Sequence, residues 1–404
     1  MKIIYLHQYF NTPSMPGGTR SYEMARRLAS YDHEVHMVTS LRESAVGQKG
    51  WRTTDEAGIH VHWFPVPYSN KMSFGARIKA FLSFAWAASI KAASIKADVV
   101  FATSTPLTIA IPAFYASRRQ KIPMVFEVRD LWPDGPIAIG AIRNPLLIYL
   151  ARRLERFAYF SSARIVALAP GMKEKVVSTG YSPEKVKVIP NGCDLELFSV
   201  GDAVGKELRL KHDWLRDRPL VVYAGAIGKV NGVDYLVRLA EQTKRIEPRV
   251  CFVVVGDGSE YSEVRKKAGE RGVLGENFFL LGQVPKTDVP AWLSAADLAV
   301  SLIIDREVFW VNAVTNKFFD ALAAGRPIAN NHAGWQSALA VREDVGFILD
   351  AADTELAAGQ LIRRLRDKTW LMTAGKKARA LAENRFSRDI LAKELEELLL
   401  EAVK

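Results

Sequence analysis

Short apolar runs, rich in β-branched residues, recur along the whole chain, and between them the apolar positions fall at helical spacing. Lys2–Leu6 is the first run, Ser21–Ser30 (SYEMARRLAS) the first helical stretch and Glu34–Thr39 the next run. Strand, helix and strand in that order make a βαβ unit, whose right-handed crossover builds a parallel sheet. The rhythm continues through Ile59–Phe64, Asp98–Thr103, Met124–Val128, Arg164–Ala167 and Val186–Ile189. It resumes at Leu220–Gly225, Val250–Val255, Phe278–Leu281 and Leu298–Ile304, with a helix from Val233 after the first of these. A chain so patterned is α/β, and its ligands are expected beyond the carboxyl ends of its strands. Its 404 residues exceed what one core serves, so two domains of about 200 residues are expected. Turn residues and charges gather between Phe198 and Gly205, which divides the chain into 1–198, 199–385 and a terminal helix, 386–404, whose leucines can pack on either domain.

The segments that leave the strands carry the chemistry. Gly17-Gly18 follows the first strand, and with no side chains it lets backbone approach a phosphate or sugar. Met124–Val128 delivers Arg129-Asp130-Leu131-Trp132-Pro133 to its carboxyl end. Asp130 can accept a hydrogen bond or a proton from an incoming hydroxyl there, or it can simply cap the next turn. In the second half Leu220–Gly225 runs into a loop holding Gly228, Lys229, Asn231 and Gly232. Val255-Gly256-Asp257-Gly258 is a glycine turn and not a dinucleotide fingerprint, since Tyr261 stands where the third glycine would be. Leu281-Gly282-Gln283-Val284 and Asp305-Arg306-Glu307 end the next two strands.

Within Thr315–Ile328 lies a helix with a working N-terminus, and a buried strand, Pro327-Ile328-Ala329, is expected after it. Val314, Phe318 and Leu322 repeat at helical spacing, Thr315 or Asn316 can cap the start, Gly325 supplies a left-handed stop and Pro327 forbids continuation. Backbone N–H groups and the positive dipole end at Asn316 and Lys317 attract a phosphate, with Lys317 adding a full charge. Asp320, one turn on, suits the neighbouring hydroxyls of a sugar. The same segment also reads as an ordinary capped core helix.

The net charge of +11 is unevenly placed: residues 1–200 hold 25 Lys and Arg against 15 Asp and Glu, the rest 30 against 29. The first half therefore carries +10 and suits an anionic partner. Two helical stretches mix basic and apolar residues. Lys71–Lys96 sets Phe74, Ile78, Phe81, Leu82, Ala85 and Trp86 near one face with Lys71, Arg77, Lys79, Lys91 and Lys96 around it; Pro145–Tyr159 brings Arg152, Arg153 and Arg156. Lysines interrupt any run long enough to span a bilayer, so the first stretch is either an interfacial membrane contact or a core-packing crossover helix. Nucleic acid is disfavoured, because the basic residues flank apolar helical faces and not base-stacking aromatics on a sheet. Two cysteines far apart fit neither a disulfide framework nor a metal motif. Met1–Leu6 is too short for a signal h-region, and a reducing, cytoplasmic setting is expected.

Taken in order, Gly17-Gly18, Ile189-Pro190-Asn191-Gly192-Cys193-Asp194, Tyr223-Ala224-Gly225, Val255–Gly258, Leu281–Pro285 and Asn316–Pro327 resemble the family 4 retaining glycosyltransferases. Met1–Ser40 and Arg129–Pro133 look most like the branch that builds bacterial surface polysaccharides, O-antigens and capsules. The resemblance implies a GT-B fold: two Rossmann-like domains facing across a cleft, the first holding an acceptor and the second a nucleotide-sugar. It also implies transfer with retention of configuration, no metal and no other cofactor, and a saccharide or polyprenyl-pyrophosphate-linked saccharide acceptor at the inner face of the cell membrane, where the protein would be peripheral. Asp320 matches the family's ribose carboxylate, Asn316 and Lys317 the phosphate-binding helix start, Gly282 to Val284 the backbone that reads the base, and Asp130 falls near the acceptor-side catalytic position. Gly17, Gly18 and Gly228 are expected against the donor, and Arg129 and Trp132 on the acceptor side. The chain departs from the pattern at Asn312, where the family has a carboxylate, and at Ala226 and Asn231, where it has cations. Asp305 or Glu307 can replace the first, and Lys229, Arg306 or Lys317 the others. A sugar-nucleotide epimerase, or a non-catalytic scaffold of the same fold docking on a membrane, would share these features.

Overall fold

The computed structural model describes residues 1–15, 17–42, 50–69 and 72–404, so Lys71 lies outside the described residues. The chain divides into two units, Met1–Pro190 with Arg388–Lys404, and Asn191–Ser387. Each is built on its own largely or wholly parallel sheet.

In the first unit the strands are β1 (Lys2–Leu6), β2 (Glu34–Leu41), β3 (Arg52–Glu56), β4 (Ile59–Pro65), β5 (Val99–Thr103), β6 (Met124–Val128), β7 (Arg164–Ala167) and β8 (Val186–Val188). They lie in the order β3-β4-β2-β1-β5-β6-β7-β8. Ile3, Ile4, Tyr5 and Leu6 are all fully buried, as in a strand covered by helices on both faces. β3 is absent from the sequence expectations. Arg52-Thr53-Thr54-Asp55-Glu56 has no apolar run, and it forms because the turn at Ala57 and Gly58, both at positive φ, folds it antiparallel onto β4 at the sheet edge.

A buried ion pair joins the first helix, Arg20–Ser30, to the sheet: Arg20 Nη2 lies 2.8 Å from Glu127 Oε1, and both side chains are nearly inaccessible. Arg20 also donates to the carbonyls of Ile189 and Pro190, where the first pass of this unit ends. Thr103 Oγ1 donates to the other oxygen of Glu127 at 2.6 Å. Burial alone would raise the Glu127 pKa, but Arg20 and Arg129 outweigh it and hold the carboxyl below its ordinary value. The terminal helix, Arg388–Val403, packs in this unit, with Leu391, Leu395, Leu398 and Leu399 buried. Arg27 binds Asp389 at 2.6 Å and His33 meets Glu396 at 2.8 Å.

In the second unit the strands are β9 (Leu220–Ala224), β10 (Cys251–Val255), β11 (Phe278–Gly282), β12 (Leu298–Ser301), β13 (Ile328–Asn330) and β14 (Gly346–Ile348), all parallel, in the order β11-β10-β9-β12-β13-β14. Strand order reverses at β9 and β12 here, as it does at β1 and β5 in the first unit. The carboxyl ends of those pairs are where an open α/β sheet leaves a crevice. β14, only three residues long, carries too little pattern to be foreseen.

Candidate functional site

In the second unit the loops after β9, β10 and β11 are sewn together through their backbones. Gly225 N donates to Val255 O at 2.8 Å, Gly256 N to Gly282 O at 2.8 Å and Ile227 N to Asp257 O at 2.9 Å. A Cβ on Gly256 would overlap Gly225 O, and its φ of 153° disfavours any other residue. The helix Asn316–Ala323 begins beside them, and the residues before it are held from several sides. Ser301 Oγ meets Thr315 Oγ1 at 2.8 Å, Thr315 N donates to Gln336 Oε1 at 3.0 Å, Asn191 Nδ2 to Val314 O at 3.0 Å and Trp335 Nε1 to Ala313 O at 2.6 Å. The hydroxyl of Thr315 is thus engaged elsewhere, and no side chain caps the helix. Its first N–H groups keep their donor capacity for a ligand.

Lys317 folds back over this edge. Its Nζ lies 4.9 Å from the centroid of the Tyr223 ring, and its stem lies over Gly225, where a Cβ would meet its Cε. Burial lowers its pKa to about 8, against the counteracting charge of Asp320. An ammonium so desolvated is poised to gain from an anion.

The remaining second-unit residues expected at a donor surround the same strand ends. Gly228 and Lys229 stand in the loop after β9, Lys229 exposed; Gly282 ends β11 and Val284 follows it; Asp305 and Arg306, both exposed, follow β12. Two departures from the family pattern acquire structural roles. Asn231 Oδ1 accepts from Gly228 N at 3.3 Å and closes the turn Lys229–Asn231. Asn312 Nδ2 donates to Val308 O at 3.1 Å, at the end of the short helix Glu307–Trp310.

In the first unit a cavity of ≈ 490 Å³ opens at the carboxyl ends of β1, β2, β5 and β6, bringing together Gly17, Gly18, Arg129 and Asp130. Trp132 does not line it. Gly17, at a φ of 126°, packs on Asn11, whereas Gly18 faces open space. Adjacent Arg129 and Asp130 have separate partners: Arg129 Nη1 reaches His7 Nε2 at 3.2 Å, and Asp130 Oδ2 accepts from Thr105 Oγ1 at 2.8 Å. His7, Asn11 and Arg42 also line the cavity and were not foreseen. The signal existed, since His7 and Arg42 directly follow β1 and β2, as Gly17 and Asp130 follow theirs. Among the described residues no group of three or more His, Cys, Asp or Glu side chains is placed to hold a metal.

Residues 17–192 match the family model described as a glycosyl transferase 4-like domain, and residues 218–367 match that of the glycosyl transferases group 1. The chain is 24% identical over 328 residues to a protein of Escherichia coli K12 named, provisionally, the colanic acid biosynthesis glycosyl transferase WcaI, covering 78% of this chain and 79% of that one. It is 27% identical over 222 residues to the UDP-Gal:alpha-D-GlcNAc-diphosphoundecaprenol alpha-1,3-galactosyltransferase of Escherichia coli, a match spanning 53% of this chain and about half, 54%, of the other. Among solved structures, Alr3699/HepE of Anabaena in complex with UDP superposes with a TM-score of 0.71 at 19% identity, over 99% of this chain and 100% of that one.

Proposed function

The chain belongs to the glycosyltransferases of the GT-B fold, and on that premise we propose that it transfers a sugar from a nucleotide-sugar, with retention and without a metal, to a lipid-linked saccharide in surface-polysaccharide biosynthesis. Lys317 is the observation that carries this reading. A half-buried, partly desolvated ammonium and an uncapped helix start meet at the strand-order reversal of the second unit, where a diphosphate would satisfy both. The charge there, with Asn316 and Lys229, would stabilise the leaving diphosphate. That phosphate would take the acceptor's proton on the face it leaves from, so that the protein contributes positioning and charge. Asp320 would hold ribose hydroxyls, and Asp130 the acceptor hydroxyl. The printed acceptor of the galactosyltransferase relative, a sugar on diphosphoundecaprenol, supports the acceptor class.

The surface of the first unit supports a peripheral membrane position. The helix Phe74–Ser94 buries Ala80, Phe84, Ala85, Ala88 and Ala92 and presents Ile78, Leu82, Trp86 and Ile90 to solvent, Trp86 at 74% exposure. The single apolar face expected from the sequence is therefore two faces, with Ala85 on the buried one. This helix packs on Ala110–Gln120, which exposes Ile111, Tyr115, Arg118 and Arg119 and packs in turn on Pro145–Phe160, which exposes Leu146, Tyr149, Leu150 and Arg153. Apolar stripes flanked by cations suit an anionic bilayer surface. No described helix is long and apolar enough to cross a membrane.

The test is thermal unfolding with UDP, GDP and dTDP and their sugars. A nucleotide at 100 times its Kd adds about 2.7 kcal/mol to stability, and Lys317→Ala should abolish that gain. Absence of a shift with every nucleotide, together with vesicle binding, would favour the non-catalytic scaffold; free epimerised sugar from donor alone would favour the epimerase. Product anomers by NMR, and turnover in EDTA, check retention and metal independence.

A further inference from the structure

The cavity of the first unit holds more positive charge than a neutral saccharide needs. Arg42 and Arg129 both line it, and neither forms an ion pair with a carboxylate among the described residues. Arg42 donates to the side-chain oxygen of Asn11, a neutral group. Arg129 donates to His7, and because a guanidinium has no acceptor, Nε2 of His7 must be the bare nitrogen and Nδ1 the protonated one. That Nδ1 is buried and has no partner, in a residue only 5% exposed. Burial and the two arginines hold the imidazole well below its ordinary pKa, so it stays a neutral donor. Arg129 also bears on Glu127 electrostatically, but neither guanidinium makes an ion pair among the described residues, and an anion in the cavity would take up the donors they leave over. Asp130, the one carboxylate among the described lining residues, accepts from Thr105, and against the two arginines it leaves their balance positive.

We propose that this cavity binds a glycosyl phosphate, with Arg42 and Arg129 holding the phosphoryl oxygens, His7 positioning Arg129 through the hydrogen bond it accepts at Nε2, and Asp130 taking a sugar hydroxyl. The proposal rests on the reading of the first unit as the acceptor side and deepens it. The acceptor is recognised by its phosphate as well as its sugar, and the hydroxyl at Asp130 lies close to that phosphate along the ligand. A volume of ≈ 490 Å³ sits within the roughly 300–1,000 Å³ of small-molecule sites and suits a sugar or two with a phosphate. The phosphoryl group could belong to a lipid-linked acceptor or to a nucleotide, and the experiment separates the two.

Isothermal titration of the full chain with inorganic pyrophosphate, a panel of hexose 1-phosphates, the corresponding methyl glycosides and UDP provides the test. Pyrophosphate and a hexose 1-phosphate should bind and the methyl glycosides should not. Arg42→Gln and Arg129→Gln should each weaken the phosphate ligands roughly ten- to a hundredfold, and His7→Phe should weaken them by a smaller factor, while UDP affinity is kept. Lys317→Ala should do the reverse, removing UDP and sparing the sugar phosphate. If Arg42→Gln weakens UDP as much as the sugar phosphate, the anion is the nucleotide's and the proposal is overturned. Methyl glycosides binding as tightly as their phosphates would overturn it as well. Should UDP fail to bind the wild type while the sugar phosphate binds and responds to Arg42→Gln, the donor assignment falls and this site stands.

Discussion

Lys317 carries the donor site proposed for the second unit, and the lowering of its pKa by burial to about 8 makes that proposal measurable. The folded chain binds this proton less tightly than the unfolded one, so burial of the ammonium costs stability below about pH 8, and the cost fades as pH rises past it. An anionic nucleotide favours the charged form. Nucleotide affinity should therefore be level below about pH 7 and fall as pH rises through 8, with proton uptake on binding near pH 8.5; Lys317→Ala should bind weakly with no such slope. Titration in buffers of different ionisation enthalpy measures this. A second residue-scale prediction concerns Gly256, whose backbone lies against Gly225. Gly256→Ala should cost about 2–4 kcal/mol in urea unfolding, because the added Cβ overlaps a carbonyl at a φ that side chains rarely adopt. Lys317, Asn316 and Asp320 could be singled out in the sequence because a helix start with its stop signals is local information. His7 and Arg42 gave a weaker signal, their place directly after a strand, and only the sheet shows that they meet Arg129.

At the scale of elements, the alternation of strands and helices was legible almost throughout, because a strand buried on both faces reads as an unbroken apolar run. β3 escaped for the opposite reason: an edge strand with polar sides has no pattern of its own. The helix Phe74–Ser94 was visible as an element, yet which of its apolar residues meet the sheet depended on its rotation about its axis. Ile78, Leu82, Trp86 and Ile90, four residues apart, ended outward. Trp86→Glu should leave the melting temperature unchanged and weaken binding to anionic vesicles at least about tenfold, since embedding such a side chain contributes about 1.5–3 kcal/mol. Binding should also fall with salt, each Lys or Arg near the surface contributing about 1 kcal/mol. Vesicle sedimentation reads both.

At the scale of the whole molecule, the first unit is closed by chain from both ends of the sequence. Leu395 is fully buried in the terminal helix, and Leu395→Ala should cost about 2–5 kcal/mol. The Arg20–Glu127 pair joins the first helix, the middle of the sheet and the Ile189-Pro190 exit. Arg20→Met should cost about 3–5 kcal/mol at neutral pH, because it strands a buried carboxylate. Glu127 is held below its ordinary value, so its contribution is present above the unfolded carboxyl pKa of about 4.3 and lost as pH falls through its folded one. The variant should thus lose less stability than the wild type between pH 7 and pH 3, which urea titrations at both pH values would reveal. By itself the sequence determined the α/β class, the resemblance to the glycosyltransferases and the helix at Asn316, because apolar periodicity, glycine stops and local caps act over a few residues. The tertiary structure alone decided that His7, Arg42 and Arg129 share one cavity, that Glu127 is an ion-pair partner and not a surface charge, and that the last helix completes the first unit, because those outcomes depend on which distant segments a folded sheet makes neighbours.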